Sequence, residues 1–388
     1  AVVPGYTRLQ ISTSIGGVMS RPGESCEQAA SRAEVDALLG VGSIHRIVDA
    51  VRAVEAQVKA QETAKKSLDA ACKYRSFEDK NTVELGGDRM LTTPDYAAYL
   101  KIAEGCDNRC AYCAIPYIRG GYRSRPMEEL VREAKELSAL GVRELTVIAQ
   151  DITRYGIDLY GKVCLTELLK ELCKLDFRWV RLHYLYPERI DDELIDEIAS
   201  EDKIVKYLDI PIQHINDTIL RRMNRRGTGE EIRALFKKLR ERIPGLVLRT
   251  SLITGLPGEG EAEFEELCDF LREAKIERAG VFPYSPEEGT PAALMPDRCS
   301  TEEAQRRAEL CMEIQAEIMD GFAEMFIGRE LDVLVMGREP DGTPWGRSEY
   351  DSPDIDSRVI FSGGAAPGDM VRVRIDSVDD GELIGEQI

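Results

Sequence analysis

Three cysteines close together near residue 110 form a pattern that can bind a metal centre. Cys106, Cys110 and Cys113 make a CxxxCxxC run within eight residues. Three thiolates can hold a compact centre, whereas a closed tetrahedral zinc site or an ordinary four-iron cubane takes four ligands. No fourth cysteine lies nearby in the sequence. A four-iron, four-sulfur cluster held here would keep one iron open, and an open coordination position is what a catalytic metal centre needs.

The same cysteines have simpler interpretations. They can form a zinc knuckle that takes its fourth ligand from a distant histidine, for which His183 and His214 are the candidates, or they can be clustered without function. Their position in the fold favours the catalytic interpretation, because the run directly follows the first strand of a predicted parallel barrel.

Short strand-like segments alternate with amphipathic helices from Tyr99 onward, which predicts parallel strands joined by crossover helices. The fold class is therefore α/β, with a partial (β/α)6 barrel. The chemistry of such barrels lies at the carboxyl ends of the strands. The predicted strands are YLKIAEG, from Tyr99, and residues 144–150, 179–185, 205–212, 246–253 and 279–285; the helices fall near 126–140, 165–175, 191–200, 216–242, 259–274 and 301–325.

The segments on either side of the barrel have different patterns. Residues 33–56 indicate a strand, a glycine-containing loop and a helix, as in the last βα unit of an α/β domain whose earlier part is incomplete. Residues 57–97 are polar and predict a linker with one hairpin. Short alternating strands after Gly328 predict a small all-β barrel, which we expect to cover the mouth of the large barrel. The predicted domains are 1–60, a partial N-terminal α/β domain; 61–94, a linker; 95–325, the partial barrel; and 326–388, the β-barrel.

Composition argues against several classes of function. The chain has 51 Lys+Arg and 70 Asp+Glu, a net charge of −19, so nucleic acid is a disfavoured partner. No apolar run approaches the roughly 18 residues of a membrane helix. The first residues lack the features of a secretory signal, and we expect a cytoplasmic protein with reduced thiols.

The cysteine run resembles that of the radical S-adenosylmethionine enzymes, which have a partial βα barrel and an aromatic residue just before the third cysteine. Tyr112 occupies that position here. The resemblance implies that the three cysteines hold a [4Fe-4S] cluster. It also implies that S-adenosylmethionine binds the fourth iron through its amino and carboxylate groups and is cleaved to a 5'-deoxyadenosyl radical.

Further stretches resemble the methylthiotransferases of this superfamily over nearly all of residues 95–325. They are ELTVIAQDITRYG (144–156), LHYLYPERI (182–190), YLDIPIQHINDTILRRMNRRGT (207–228), RTSLITGLPGEGEAEFEEL (249–267) and VFPYSPEEGTPAA (281–293). Gln150, Gln213 and His214 can alternatively satisfy strand-end backbone groups, and the direction of Arg249 depends on strand register. The resemblance implies a cofactor shell of Tyr112, Gln150, Asp151, Gln213, His214, Arg249, Gly255, Pro257, Gly258 and Tyr284; no catalytic residue is assigned.

Two branches of the methylthiotransferases fit these motifs, and both carry a C-terminal TRAM domain. A MiaB-like enzyme modifies an adenosine of transfer RNA, and a RimO-like enzyme modifies the β-carbon of an aspartate in a small-subunit ribosomal protein. Residues 326–388 contain six Arg, no Lys and fourteen Asp+Glu, a net charge of −8, which suits a basic protein better than RNA. The stretch GRSEYDSPDIDSRVIF (346–361) also looks RimO-like. We therefore predict the ribosomal-protein branch, with a reductase or flavodoxin-type electron donor.

The resemblance fails in the N-terminal part. The family holds a second [4Fe-4S] cluster there with three more cysteines, but Cys26 is the only cysteine before residue 60. The ligands of the second cluster are not found, and we expect at most one well-held cluster. A non-catalytic adaptor that binds a ribosomal protein is therefore a further alternative.

Overall fold

The computed structural model describes residues 37–64, 74–82, 85–87 and 89–388. Predictions for residues 1–36, including Cys26, lie outside these ranges. The described N-terminal part contains β1 (Ala37–Leu39), a 3-10 turn (Val41–Arg46), α1 (Ile47–Ala64) and β2 (Tyr74–Ser76). The predicted order of strand, loop and helix is confirmed. β2 was assigned to a linker with a hairpin, yet it pairs in parallel with β1 and so belongs to the same α/β unit.

Six parallel strands form the main sheet, as the alternating pattern predicted. They are β3 (Ala97–Lys101), β6 (Glu144–Ile148), β7 (Trp179–Leu182), β8 (Ile204–Asp209), β9 (Val247–Thr254) and β10 (Arg278–Pro283). Their order is β10-β9-β8-β7-β6-β3, so β3 and β10 are the two edges and the barrel is partial. Two short strands, β4 (Ala103–Glu104) and β5 (Arg123–Ser124), form a separate antiparallel pair.

The helices mostly follow the predicted positions. The segment 216–242 is wrong as one helix: Asn224 and Gly227 take positive φ angles of 54° and 82°, and Thr228 starts a new helix through a capping box with Glu231. No helix in the described ranges is long and apolar enough to cross a membrane. The helices are α2 (Ile115–Arg119), α3 (Met127–Ala139), α4 (Ile157–Tyr160), α5 (Leu165–Cys173), α6 (Asp192–Ser200), α7 (Asp217–Arg222), α8 (Gly229–Arg242), α9 (Glu261–Ala274) and α10 (Thr301–Glu324).

The two faces of the main sheet differ in chemistry. Successive side chains of a strand alternate between faces, and the apolar set that includes Leu100, Val147 and Leu208 packs in the core with the helices. The opposite face, which we call the lumen face, is polar. Strand register places Tyr99, Thr146 and Arg181 side by side on it, with Tyr207, Asp209 and Arg249 on the neighbouring strands.

The C-terminal residues form a closed five-stranded barrel, which confirms the all-β prediction. Its strand order is β11-β12-β13-β15-β14, with β13 and β15 parallel and the other neighbours antiparallel. The strands are β11 (Glu330–Arg338), β12 (Pro344–Ser348), β13 (Val359–Ser362), β14 (Met370–Asp379) and β15 (Glu382–Gln387).

The small barrel packs on the opposite end of the large barrel from the one we predicted. Trp179, Val205 and Val247, at the amino ends of their strands, form a buried cluster with Leu334 of β11. Tyr96 belongs to the same cluster and donates a hydrogen bond to the Met336 carbonyl at 2.8 Å. The prediction that this module covers the mouth is therefore wrong. The module instead shields apolar side chains at the amino ends of the strands from water.

A buried ionic contact also joins the two barrels. The Glu144 carboxylate accepts a hydrogen bond from Arg181 Nε at 2.7 Å and pairs with Arg347 of β12. All three residues are at least 97% buried. Burial lowers the pKa of Arg181, and it lowers the pKa of Arg347 to about 10, although nearby carboxylates oppose the shift. One buried carboxylate thus pairs directly with two guanidinium groups.

We expect Glu144→Gln to lower the free energy of unfolding by about 3–5 kcal/mol, because it leaves two buried cations without their counterion. Urea unfolding of the whole chain measures this. Glu171→Gln is the matched control, because Glu171 pairs with Lys174 at the surface of α5 and surface pairs contribute little. Equal unfolding midpoints for the two variants would show that the buried contact does not stabilise the junction.

Candidate metal centre and cofactor site

The three cysteines lie on a loop whose two ends are held together. The loop leaves β4 and returns at β5, and Cys106 N donates to the Gly120 carbonyl at 3.2 Å. Gly105 has a φ of 78°, and a Cβ there would lie 2.1 Å from the Gly121 oxygen. Only glycine therefore fits at the point where the two chain segments meet.

The cysteines differ in exposure. Cys110 is buried, whereas Cys106 and Cys113 are partly exposed, and Cys113 N donates to the Cys110 carbonyl at 3.0 Å. Burial raises the pKa of Cys106 to about 11 and also raises that of Cys113. Without a bound cation both thiols are protonated at neutral pH, so a metal centre is needed to hold them as thiolates.

The donor geometry does not support the zinc alternative. Nowhere in the described ranges do three His, Cys, Asp or Glu side chains converge on a point where one ion could bind. His183 instead contacts Ser352, and His214 contacts Glu259. A tetrahedral zinc site needs convergence on one ion, whereas a cubane takes each cysteine on a different iron. The separated thiols fit the cluster better.

Arg225 and Tyr186 lie against the buried cysteine. Tyr186 Oη is 3.2 Å from Cys110 Sγ, and the Arg225 guanidinium is centred 4.0 Å from the Tyr186 ring. Arg225 Nη1 lies 3.9 Å from Cys110 Sγ, and Nη2 donates to the Pro211 carbonyl at 2.7 Å. Arg225 and Tyr186 thus surround this sulfur with a guanidinium and a hydroxyl group. The sequence analysis missed both residues, although they lie within stretches that it quoted.

Asp151 connects the end of β6 to the cysteine loop. Its Oδ2 accepts hydrogen bonds from Asn108 at 2.9 Å and from Arg189 at 3.2 Å, and its Oδ1 accepts from Thr153 N at 3.0 Å. Asn108 stands between Cys106 and Cys110 in the sequence. Asp151 thus positions the loop, and Asn108 and Arg189 are further site residues that the sequence analysis missed.

Two predicted cofactor residues have a buried polar atom with neither a hydrogen bond nor an ion-pair contact in the described part of the chain. They are the Gln150 side-chain oxygen and the Tyr284 hydroxyl. Tyr284 is buried in a cluster with Ala111, against which Tyr112 also packs. Buried polar atoms normally form hydrogen bonds, so both atoms fit ligand contacts near the cysteine loop.

The glycine turn after β9 is already engaged by protein groups. Gly255 has a φ of 76° and its N–H donates to Glu259 Oε1 at 2.9 Å, while the Gly258 N–H donates to the Asp297 carbonyl at 2.8 Å. Pro257 lies buried between them. These two amides are not free for a cofactor in this conformation, and the assignment of the turn to the cofactor stays a prediction.

His214 lies next to that turn with both ring nitrogens facing protein groups. Nδ1 accepts from Asn216 N at 3.0 Å, and Nε2 is 3.4 Å from Glu259 Oε2. Glu259 also pairs with Arg307 at 2.9 Å. Burial would raise the pKa of Glu259, but hydrogen bonds from His214, Gly255 and Arg307 outweigh it and lower the pKa. This geometry suits a residue that positions the turn.

Gln213 and Arg249 lie on neighbouring segments of the sheet, with Arg249 on the lumen face. Gln213 has a φ of 72° and extends the ladder to β9, since its N–H donates to the Ser251 carbonyl at 2.9 Å. Arg249 Nη1 donates to Asp209 Oδ1 at 2.8 Å. Burial raises the pKa of Asp209, an effect that Arg249 partly opposes. The structure therefore places Arg249 in the lumen, which the sequence could not decide.

Comparisons with known proteins agree with this architecture. A family model described as the radical SAM superfamily matches residues 100–271, and a TRAM domain model matches residues 327–388. The chain is 46% identical over 386 residues to a ribosomal protein uS12 methylthiotransferase RimO from Symbiobacterium thermophilum, covering 98% of this chain and 76% of that protein. A RimO from Lachnoclostridium phytofermentans is 47% identical over 357 residues, covering 91% of this chain and 78% of the relative.

A solved structure shows the same fold at low sequence identity. It is the radical S-adenosylmethionine methyltransferase TsrM from Kitasatospora setae with cobalamin and a [4Fe-4S] cluster bound. The TM-score is 0.50 and the identity 14%, with 74% of this chain and 63% of that chain covered. The likeness supports the fold assignment alone.

We expect Arg225→Gln to weaken iron retention by about tenfold, because side chains that contact metal ligands commonly change metal affinity by that amount. Anaerobic reconstitution followed by competition with a chelator measures the loss. Arg226→Gln is the matched control, since Arg226 is the next residue and is exposed. Identical iron retention in the two variants would argue that the guanidinium does not support Cys110.

Proposed function

Because the chain belongs to the RimO family of radical SAM methylthiotransferases, we propose that it adds a methylthio group to the β-carbon of an aspartate in ribosomal protein uS12. The observation that carries the proposal is the identity of about 46% to RimO proteins over nearly the whole chain, together with the three-cysteine loop at the mouth of the barrel. Members of this family are transferases, and a [4Fe-4S] cluster and S-adenosylmethionine are the cofactors that radical SAM enzymes use.

In this proposal Cys106, Cys110 and Cys113 hold the cluster. The chemistry such a centre supplies is one-electron cleavage of S-adenosylmethionine, which yields the radical that removes a hydrogen from the substrate carbon. Arg225 positions Cys110 by placing its guanidinium 3.9 Å from the sulfur. Asp151, through Asn108, keeps the loop at the end of β6. The unpartnered oxygen of Gln150 is an acceptor for the methionyl amino group.

The lumen provides the place for the substrate aspartate. Arg249 gives one of its five N–H donors to Asp209, which leaves donors for a substrate carboxylate. A bidentate arginine contact would orient the aspartate as well as bind it. Orientation matters because radical chemistry needs the reacting carbon held against the attacking group.

Charge supports a protein substrate over transfer RNA. The C-terminal module carries a net charge of −8, and a ribosomal protein that binds RNA must itself be rich in Lys and Arg. Complementary charge speeds the encounter of two proteins. A reductase or flavodoxin-type protein as electron donor and a cytoplasmic location remain part of this proposal.

The chain offers few cysteines for a second cluster. The seven cysteines other than the CxxxCxxC set include Cys26 and Cys72, which the structure does not describe, and five free thiols elsewhere: Cys164, Cys173, Cys268, Cys299 and Cys311. We propose that one cluster is held well. An adaptor without sulfur transfer is the alternative that this leaves.

Iron counting and cofactor cleavage separate the enzyme from the adaptor. After anaerobic reconstitution we expect about four irons per chain, as one cubane requires, and formation of 5'-deoxyadenosine on reduction. Replacement of all three loop cysteines by alanine should abolish both, whereas Cys299→Ala should keep both. Unchanged cleavage in the triple variant would overturn the assignment of the cluster, and about eight irons would show that a second cluster is present.

Mass spectrometry of uS12 tests the substrate. Cells that carry this gene should contain uS12 with one methylthio group on aspartate, and cells without it should contain unmodified uS12. Unmodified uS12 in both strains would refute the proposed function. Transfer RNA that binds the protein with a steep salt dependence and becomes methylthiolated would favour the MiaB-like alternative.

A further inference from the structure

A loop of the C-terminal module reaches into the large barrel. We call residues 349–357 the lumen loop; it connects β12 to β13. Asp351 Oδ1 accepts a hydrogen bond from Arg278 of β10 at 2.7 Å, and Ser352 Oγ lies 3.1 Å from His183 Nε2. Asp356 Oδ2 accepts from Tyr207 of β8 at 2.6 Å. The loop is thus attached to side chains from three parts of the sheet.

These attachments are buried, and they are formed by polar and ionisable side chains only. Asp351 and Ser352 are each 2% exposed, and Arg278 is 6% exposed. Burial lowers the pKa of His183 to about 3, helped by the positive charges of Arg181 and Arg249. His183 is therefore neutral at physiological pH and can share a hydrogen bond with Ser352. Buried polar contacts of this kind fix a loop in one position, because breaking one leaves a polar group without a partner.

The tip of the lumen loop is different from its ends. Asp354 and Ile355 are exposed, and Ile355 keeps 55% of its surface accessible. Asp354 forms no hydrogen bond or ion pair with any residue that the structure describes, whereas Asp351 and Asp356 on either side both do. Its backbone is left-handed, with a φ of 65°, a conformation that aspartate and asparagine tolerate well.

The tip lies among residues of the lumen face. Asp356, two residues after Asp354, accepts a hydrogen bond from Tyr207 on the lumen face of β8, and the Asp354 charge adds to the burial that raises the pKa of Tyr99 of β3. Ser352, two residues before it, contacts His183 at the end of β7. The contacts on either side therefore hold the exposed Asp354 carboxylate beside the lumen face of the barrel that contains the proposed reaction site.

We propose that the tip of the lumen loop is the floor of the substrate site, where the Asp354 carboxylate binds a Lys or Arg side chain that flanks the target aspartate. The inference rests on the proposed function, because the substrate is then a segment of an RNA-binding protein and so carries basic residues. The substrate contact comes from the C-terminal module, although that module packs against the amino ends of the barrel strands. This explains how a domain distant from the mouth selects the substrate.

Peptide binding tests the contact without requiring turnover. The reconstituted protein with S-adenosylmethionine is titrated with a uS12 peptide that contains the target aspartate and its basic neighbours. We expect Asp354→Asn to raise the Kd roughly fivefold at low salt, the upper range for an exposed ion pair. The difference should disappear near 1 M salt, where charges are screened within about 3 Å. Asp380→Asn, a second exposed aspartate with positive φ in the same module, should bind like the parent protein.

Exchanging the charges of Asp354 and of the flanking basic residue in the peptide tests whether these two side chains contact each other. Asp354→Lys should weaken binding of the natural peptide, and a peptide whose flanking basic residue is replaced by Glu should restore it. Equal Kd values for Asp354→Asn and Asp380→Asn, no restoration, or no peptide binding by the parent would overturn the inference. Cofactor cleavage without peptide should be unchanged in the control Asp380→Asn. If Asp354→Asn binds the peptide more weakly than the parent protein does, but the parent transfers no methylthio group, the proposed function is wrong while the inference holds.

Discussion

The site depends on holding three thiols at fixed positions on a loop that has little regular structure. The antiparallel pair of β4 and β5 closes the loop, and Gly105 allows the two segments to meet. Asp151 attaches the middle of the loop to the main sheet through Asn108. A loop held at its ends and at its middle loses little further conformational entropy when it binds a cluster. Ordering of the loop therefore offsets little of the free energy of cluster binding.

Buried charge organises the remainder of the molecule. The lumen face carries arginines and carboxylates where an ordinary core would be apolar, and each must be compensated because an isolated buried charge is costly. The C-terminal module supplies part of this compensation through Arg347, which pairs with Glu144, and Asp351, which pairs with Arg278. The module therefore compensates buried charge in the large barrel as well as covering its apolar surface.

Sequence patterns were sufficient for the order of the elements but not for contacts between distant segments. The alternation of strand-like and helix-like segments predicted the six parallel strands, because the hydrophobic period of each element depends only on residues close together in the sequence. The cysteine run was found because its spacing is short. Arg225 and Arg189 were missed, since a lone arginine in a helical or loop pattern has no signal until the fold brings it to Cys110 or Asp151. The prediction of where the C-terminal module packs was wrong for the same reason. Alternation shows that a strand has two faces, but it does not show which end of the barrel another domain covers.

Asp209 shows how one buried residue can fix both the shape and the charge of the lumen. Tyr184 has a φ of 67°, a strained conformation for tyrosine that costs about 1–3 kcal/mol and persists only where its surroundings hold it. The Tyr184 carbonyl accepts from Ile152 N at 3.1 Å, and the next residue, Leu185, donates its N–H to the Asp209 backbone carbonyl at 2.9 Å. The Asp209 carboxylate accepts from Arg249. Because one residue makes both contacts, the direction of the chain after β7 and the position of the lumen cation cannot change independently.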